Sequence, residues 1–184
     1  WLIPQMSTLE PIAKSFHKPQ LNEAGEPIPF LPYERDENLG RPWAIPGTAG
    51  LEHRLGGLEK EHRTGNVSYD PDNHQFMVEL RAEKVERITR FIPPLEISGA
   101  QSGEALFVSW GGTFGSVRAA TNNLNLQGRE VGHIHLRHIN PLPLGLEEAL
   151  SSYDRVIVPE LNMGQLNMIL RARFLIDTIP LTKV

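Results

Sequence analysis

His133, His135 and Arg137 alternate along the strand-forming run from Val131 to Ile139, so they share one face while Ile134 and Leu136 share the other. Two imidazoles at that spacing can chelate a metal ion. A complete site takes a third protein ligand, however, and no Asp, Glu or Cys stands at a suitable spacing. An ordinary polar strand face is the stronger reading. His53 and His62, with Glu52, Glu59 and Glu61, form a second group in a glycine-rich stretch. They could cradle a cation, but carboxylates and imidazoles also populate any solvated loop, and that reading is favoured. Trp110-Gly111-Gly112-Thr113-Phe114-Gly115 follows a strand and opens a helix, where a dinucleotide fingerprint would stand. Trp110 occupies its first glycine position, and Arg137 stands where an acidic residue would hold the ribose. What remains is a tight strand-to-helix turn whose amides can face an anion or another domain. No Gly-x-Ser-x-Gly elbow, phosphate loop or paired catalytic carboxylate is legible.

The elements that must position these residues belong to a chain of 184 residues with net charge -4, enough for one domain or one domain plus part of another. With no cysteine, these residues form no disulfide or thiolate metal site and hold no iron–sulfur cluster through thiolates. No apolar run has the length of a membrane span and no signal peptide opens the chain, so a cytoplasmic protein is expected. Mild acidity argues against nucleic acid as a partner. The expectation is no nucleic acid and no membrane. Both ends, Trp1 without a methionine and the strand-like Leu181–Val184, read as cuts through something longer.

Eight of the 15 prolines precede position 50, so the first fifty residues can hold little helix. Trp1, Leu2, Ile3, Phe16, Phe30, Leu31, Tyr33 and Trp43 nevertheless predict a long packed loop region. A helix is expected from Pro71 to about Arg90, capped by Asp70, with an apolar stripe of Val78, Ala82, Val85 and Ile88. Ser98–Gly103 reads as a linker. Beyond it, Ala105–Trp110 is a buried strand, Ser116–Gln127 a helix with Val117, Ala120 and Leu124 inward, and Gly128 its left-handed cap. Val131–Ile139 is a second strand, Leu144–Ser151 a short helix and Arg155–Val158 a third strand. Gly164 to about Asp177 is a helix with Leu166, Ile169, Leu170 and Phe174 on one stripe. The fold class is therefore α/β: a parallel sheet flanked by helices, preceded by a Pro-rich, loop-rich segment with one helix.

The series Trp110-Gly111-Gly112-Thr113, His135-Leu136-Arg137, Pro141-Leu142-Pro143 and Pro159-Glu160-Leu161-Asn162-Met163-Gly164-Gln165-Leu166 resembles a known family. It looks like the transketolase C-terminal-like domain of the 2-oxoacid:ferredoxin oxidoreductases, in particular the alpha subunit of the 2-oxoglutarate type. Gly50-Leu51-Glu52-His53 and the later helix resemble that family's Gly-x-Glu-His loop and the helix leaving its pyrimidine-binding domain. Gly112 for serine, Leu142 for phenylalanine and Leu161 for an acidic residue are the departures, and they bear on substrate subtype more than on family. The resemblance implies residues 1–92 as the end of a pyrimidine-binding domain plus a connecting helix, and 104–184 as the transketolase C-terminal-like α/β domain.

The family implies an enzyme that decarboxylates a 2-oxoacid with thiamine diphosphate and Mg2+, forms an acyl-coenzyme A and passes electrons through an iron–sulfur cluster to ferredoxin. By the same resemblance most of these cofactors sit on a beta subunit, none is bound by this fragment alone, and no catalytic residue carries over. The implied partners are the beta subunit, ferredoxin, the 2-oxoacid and coenzyme A. Pyruvate or branched-chain relatives, and a non-catalytic interaction domain on the same scaffold, are the alternatives. The candidate site is the crevice at the carboxyl ends of the strands, with Gly111, Gly112 and Thr113 leaving one strand and Glu160, Asn162, Gly164 and Gln165 leaving another. Both segments are expected to offer helix-start amides to a neighbouring domain or subunit.

Overall fold

The computed structural model describes residues 16–183, so the expected packing of Trp1, Leu2 and Ile3 lies outside the described residues. The chain divides into two compact units, one ending at Lys84 and one beginning at Val85.

In the first unit, proline denies the loops a regular ladder and scattered backbone bonds hold them instead. The amide of His17 donates to the carbonyl of Trp43 at 2.7 Å, Tyr33 bridges to Arg63, and Lys60 to Val67. Helix α1, Pro71–Glu86, starts where expected: Asp70 Oδ1 accepts the amide of Asn73 at 2.8 Å. The buried face differs from the expected stripe. Met77 and Leu80 are buried, while Val78 and Ile88 are 42% and 45% exposed. The inward side is fixed by Asn73, whose Oδ1 accepts the His62 amide and whose Nδ2 donates to the Lys60 carbonyl. Met77, Leu80 and Lys84 follow Asn73 at helical spacing. The last turn tightens into a 3-10 segment, Arg87–Phe91, ahead of Pro93 and Pro94.

The second unit is a five-stranded sheet in the order β1-β3-β2-β4-β5. Strand β1, Ile97–Gly99, pairs antiparallel with β3 and overlaps the start of the stretch expected to be a linker, Ser98–Gly103. Three residues ending in glycine carry no strand pattern of their own; the partner makes the strand. Strands β2 (Ala105–Trp110), β3 (Val131–Leu136), β4 (Val156–Glu160) and β5 (Thr178–Thr182) run parallel. Helices α2 (Phe114–Leu126), α3 (Leu146–Ser151) and α4 (Gln165–Phe174) connect them.

Strand alternation sorts the core onto one face. Leu106, Val108, Ile134, Leu136, Val156 and Val158 meet Leu146, Ala149 and Leu150 of α3 and Leu166 and Leu170 of α4. Each Leu, Ile or Val among them contributes about 1.5–3 kcal/mol when fully buried. The other face of β2 and β3 lies under α2, whose buried residues are Val117 and Thr121. Ala120, expected inward, is exposed, because Thr121 turns in and donates to the Val117 carbonyl at 2.9 Å. Ile169 of α4 is likewise 40% exposed, and Asn167 is buried in that helix, its Oδ1 accepting from Thr178 Oγ1 at 2.8 Å. Gly128, at φ +82°, caps α2 as expected.

Candidate functional site

Strand β2 lies between β3 and β4, and the chain leaves β2 toward β3 but leaves β4 toward β5. The connections diverge there, which is where an open α/β sheet is expected to place a crevice, outside the carboxyl ends of β2 and β4. The pairing of Leu106 with Val156 and Phe107 with Ile157, continued along the strands, sets Trp110 level with Glu160. All seven crevice residues leave these two strand ends.

On the β4 side the polar groups are spent internally. Glu160 is 2% exposed, and its Oε1 accepts from Trp110 Nε1 at 3.1 Å, Asn162 Nδ2 at 3.1 Å and the Leu166 amide at 2.8 Å. Its Oε2 accepts the Asn167 amide at 3.0 Å, and Asn162 Oδ1 accepts the amides of Gly164 at 2.7 Å and Gln165 at 3.1 Å. Gly164, at φ +91°, makes the turn that brings these amides round. The free amides with which every helix begins are therefore capped by the chain's own carboxylate and amide, and the helix dipole favours that negative charge. Burial alone pushes the Glu160 carboxyl up, but the hydrogen bonds from Asn167, Leu166, Trp110 and Asn162 outweigh it and hold the group below the usual carboxylate range. This corrects the expectation that α4 offers amides to the crevice. What it shows outward is the exposed Gln165, with Leu161 and Met163 70% and 82% exposed.

The β2 side is open. Gly111, at φ +59°, begins a 3-10 turn, Thr113 Oγ1 donates to the Trp110 carbonyl at 2.7 Å, and no side chain caps α2. A Cβ placed on Gly111 or Gly112 would meet nothing within 4 Å.

The histidine strand resolves differently from a chelate. Ser109, opposite His135 in register, places Oγ 2.7 Å from His133 Nε2 and 2.8 Å from His135 Nδ1. One hydroxyl proton serves one imidazole, so the other ring donates to the oxygen. His133 Nδ1 is buried without a partner. A lone pair there costs less than a stranded N–H, which puts the His133 proton on Nε2 and directs the Ser109 proton to His135. Both rings lie against Phe114, with centroids 6.0 and 4.8 Å away. Burial, then His135 and Arg118, push the His133 pKa down to about 4; burial and Arg137 lower that of His135. Sequence reasoning misses Ser109 because its role exists only once β2 and β3 are paired.

The first-unit cluster is dispersed among separate partners. His53 Nδ1 bonds the Leu51 carbonyl, His62 packs on Phe76, Glu52 accepts the Gly50 amide, Glu59 pairs with His74 and Arg81, and Glu61 accepts from Thr64. Among the described residues no group of three or more His, Asp or Glu side chains is placed to hold a metal ion.

No family model matches the chain. It is 45% identical over its full length to 2-oxoglutarate oxidoreductase subunit KorA of Mycobacterium tuberculosis, of which it covers 27%. It is 33% identical, over 77% of its length, to 2-oxoacid:ferredoxin oxidoreductase 1, subunit alpha, of Aeropyrum pernix, covering 23% of that protein. A solved structure of 2-oxoglutarate:ferredoxin oxidoreductase from Magnetococcus marinus, with 2-oxoglutarate, coenzyme A and succinyl-CoA bound, superposes with a TM-score of 0.78 and 32% identity. That match takes in 84% of this chain and 27% of the other. The chain thus spans about a quarter of the length of the relatives it matches.

Proposed function

The chain is homologous over its whole length to the alpha subunit of 2-oxoglutarate oxidoreductase, and from that premise we propose that it serves as part of a thiamine-diphosphate-dependent 2-oxoglutarate:ferredoxin oxidoreductase. The complete enzyme would convert the 2-oxoacid and coenzyme A to acyl-coenzyme A and CO2 while reducing ferredoxin. The observation that carries this reading is the 45% identity along all of the chain. The Trp110–Glu160 bond supports it, because it makes two separately recognised motifs one structural unit. 2-Oxoglutarate is preferred among oxoacids because it is named for both the Mycobacterium relative and the Magnetococcus structure.

In this reading residues 1–92 are the end of a pyrimidine-binding domain with its connecting helix, and 104–184 the transketolase C-terminal-like domain. The donor set decides what this part can hold. It has no cysteine for a cluster. The cluster does not fit these residues and, with the diphosphate and its Mg2+, is assigned to the beta subunit as the resemblance implies, so no step of the reaction is routed through them here. The role of this part is support: the capped β4–α4 corner fixes one wall of the crevice, and Gly111, Gly112, Thr113, Gln165, Leu161 and Met163 form the surface that meets the neighbouring domain or subunit. No helix among the described residues is long and apolar enough to cross a membrane, and a cytoplasmic hetero-oligomer is the proposed setting.

The test is reconstitution. The isolated chain is expected to give no 2-oxoglutarate-dependent reduction of a viologen dye, and the complete subunit with its beta partner is expected to give it together with coenzyme A consumption. Dye reduction by the chain alone, or its absence from the reconstituted complex, would count against the proposal.

A further inference from the structure

A cavity of about 620 Å³ opens in the first unit between the loop from Arg41 to Leu55 and Lys84 of α1. That volume is in the range of sites for drug-sized ligands. Its wall is apolar and open: Trp43 and Ile45 are each 53% exposed and Leu55 80%. Large apolar side chains gathered at a concave surface give a ligand an apolar wall.

The charged members set the sign of that occupant. Arg41 is held at two points, its Nε donating to the Pro32 carbonyl at 2.8 Å and its guanidinium lying 3.8 Å from the Tyr33 ring centroid. Among the described residues nothing takes its terminal N–H groups. Arg35 stands near the same ring at 5.7 Å, with its Nε buried and unpartnered and the Asp36 carboxylate close enough to favour its charge. Lys84 and Glu52 stand at the rim with opposite charges and neither is free, the Glu52 carboxylate accepting the Gly50 amide at 2.8 Å. Proline at 42 and 46 stiffens the loop, so the arrangement is set before any ligand arrives.

We propose that this cavity binds an aryl carboxylate, its carboxylate on the terminal N–H groups of Arg41 and its ring on Trp43, Ile45 and Leu55. A planar fork facing a carboxylate is the strong, oriented form of that contact, and the half-exposed indole gives an aromatic body its platform. This holds whether or not the oxidoreductase reading is correct.

The test is photoaffinity labelling of the complete subunit, in its native complex, with para-benzoylphenylacetate and mass-spectrometric mapping. Label is expected in the peptides bearing Trp43 and Leu55. Excess phenylbutyrate should protect about tenfold better than phenylbutyramide, which has the same body without the charge, since a charge-assisted bond is worth about 1.5–3 kcal/mol. Arg41→Gln should reduce labelling to a similar degree. Because Arg41 also anchors Pro32 and Tyr33, Leu55→Asp provides a second variant that leaves those contacts alone and should also abolish labelling. Label elsewhere, equal protection by acid and amide, or full labelling of Leu55→Asp overturns the proposal.

Discussion

The indole Nε1 of Trp110 donates to Oε1 of Glu160 at 3.1 Å across fifty positions of sequence. The bond joins the ends of two adjacent parallel strands at the point where their connections diverge. The same carboxylate caps α4, so one buried side chain fixes the strand ends, the turn and the helix together.

Replacing Glu160 with Gln keeps the shape, removes the charge and turns an NH2 group toward the Asn167 amide, the one donor on Oε2, while three donors stay on the remaining oxygen. We expect a loss of about 2–4 kcal/mol in urea unfolding, against about 1 kcal/mol for Trp110→Phe, which removes one donor and leaves the rest. The folded pKa of Glu160 lies below its unfolded value. Its stabilisation is therefore complete above the ordinary carboxylate pKa of about 4.3 and is lost as pH falls through the folded value. A Glu160→Gln variant as stable as the parent at neutral pH would show the cap to be dispensable.

His133 gives a second acid-side effect in a different window. Its imidazole protonates near pH 4 when folded and near 6.5 when free. Between those values the unfolded chain binds more protons, so stability is full above 6.5 and declines toward 4. An NMR titration should find no His133 transition above pH 5.5 (about one unit below the free value). His133→Phe should flatten the stability profile over that window. Ser109→Ala strands a nitrogen on each ring and should cost about 1–3 kcal/mol.

Gly132 stands where a side chain would collide. A Cβ there would lie 2.3 Å from the Tyr153 hydroxyl and 2.8 Å from the Ala100 carbonyl, and that hydroxyl donates to the same carbonyl. Gly132→Ala should destabilise by about 1–3 kcal/mol through overpacking. Adding Tyr153→Phe removes the shortest of the three close contacts but keeps the ring carbon Cζ at 2.8 Å, so it should recover only part of the loss, which thermal melts of the single and double variants would show as non-additivity.

What was legible in the sequence was what a single segment encodes. Ala105–Trp110 read as a buried strand because its apolar run is nearly unbroken, and Asp70-Pro71 and Gly128 marked helix ends by local chemistry. What needed a partner was hidden. Val78 and Met77 are adjacent on α1, and only Asn73 gripping the Lys60–His62 backbone decides which one turns inward. The metal-like spacing of His133 and His135 changes meaning when Ser109 arrives from the neighbouring strand. The order of the motifs pointed to the family, yet the capping role of Glu160 and Asn162 became visible only with the turn at Gly164.

That capping role decides how the proposed crevice interface must be probed. Asn162 holds the amides of Gly164 and Gln165, so Asn162→Ala removes a cap and should cost about 0.5–2 kcal/mol of stability whatever the crevice binds. Weaker assembly of that variant would say nothing about contact. Gln165, Leu161 and Met163 are exposed and hold no part of the cap through their side chains. Gln165→Ala and Met163→Asp should therefore leave the unfolding midpoint of the isolated chain within about 0.5 kcal/mol of the parent. In the complete subunit, Met163→Asp places a charge in the middle of the proposed contact and should weaken assembly with the neighbouring subunit by about tenfold or more, read by sedimentation or titration calorimetry. Gln165→Ala should weaken it by less, since an amide at the rim exchanges its bonds with water. Wild-type assembly by the Met163→Asp variant would remove the crevice from the interface.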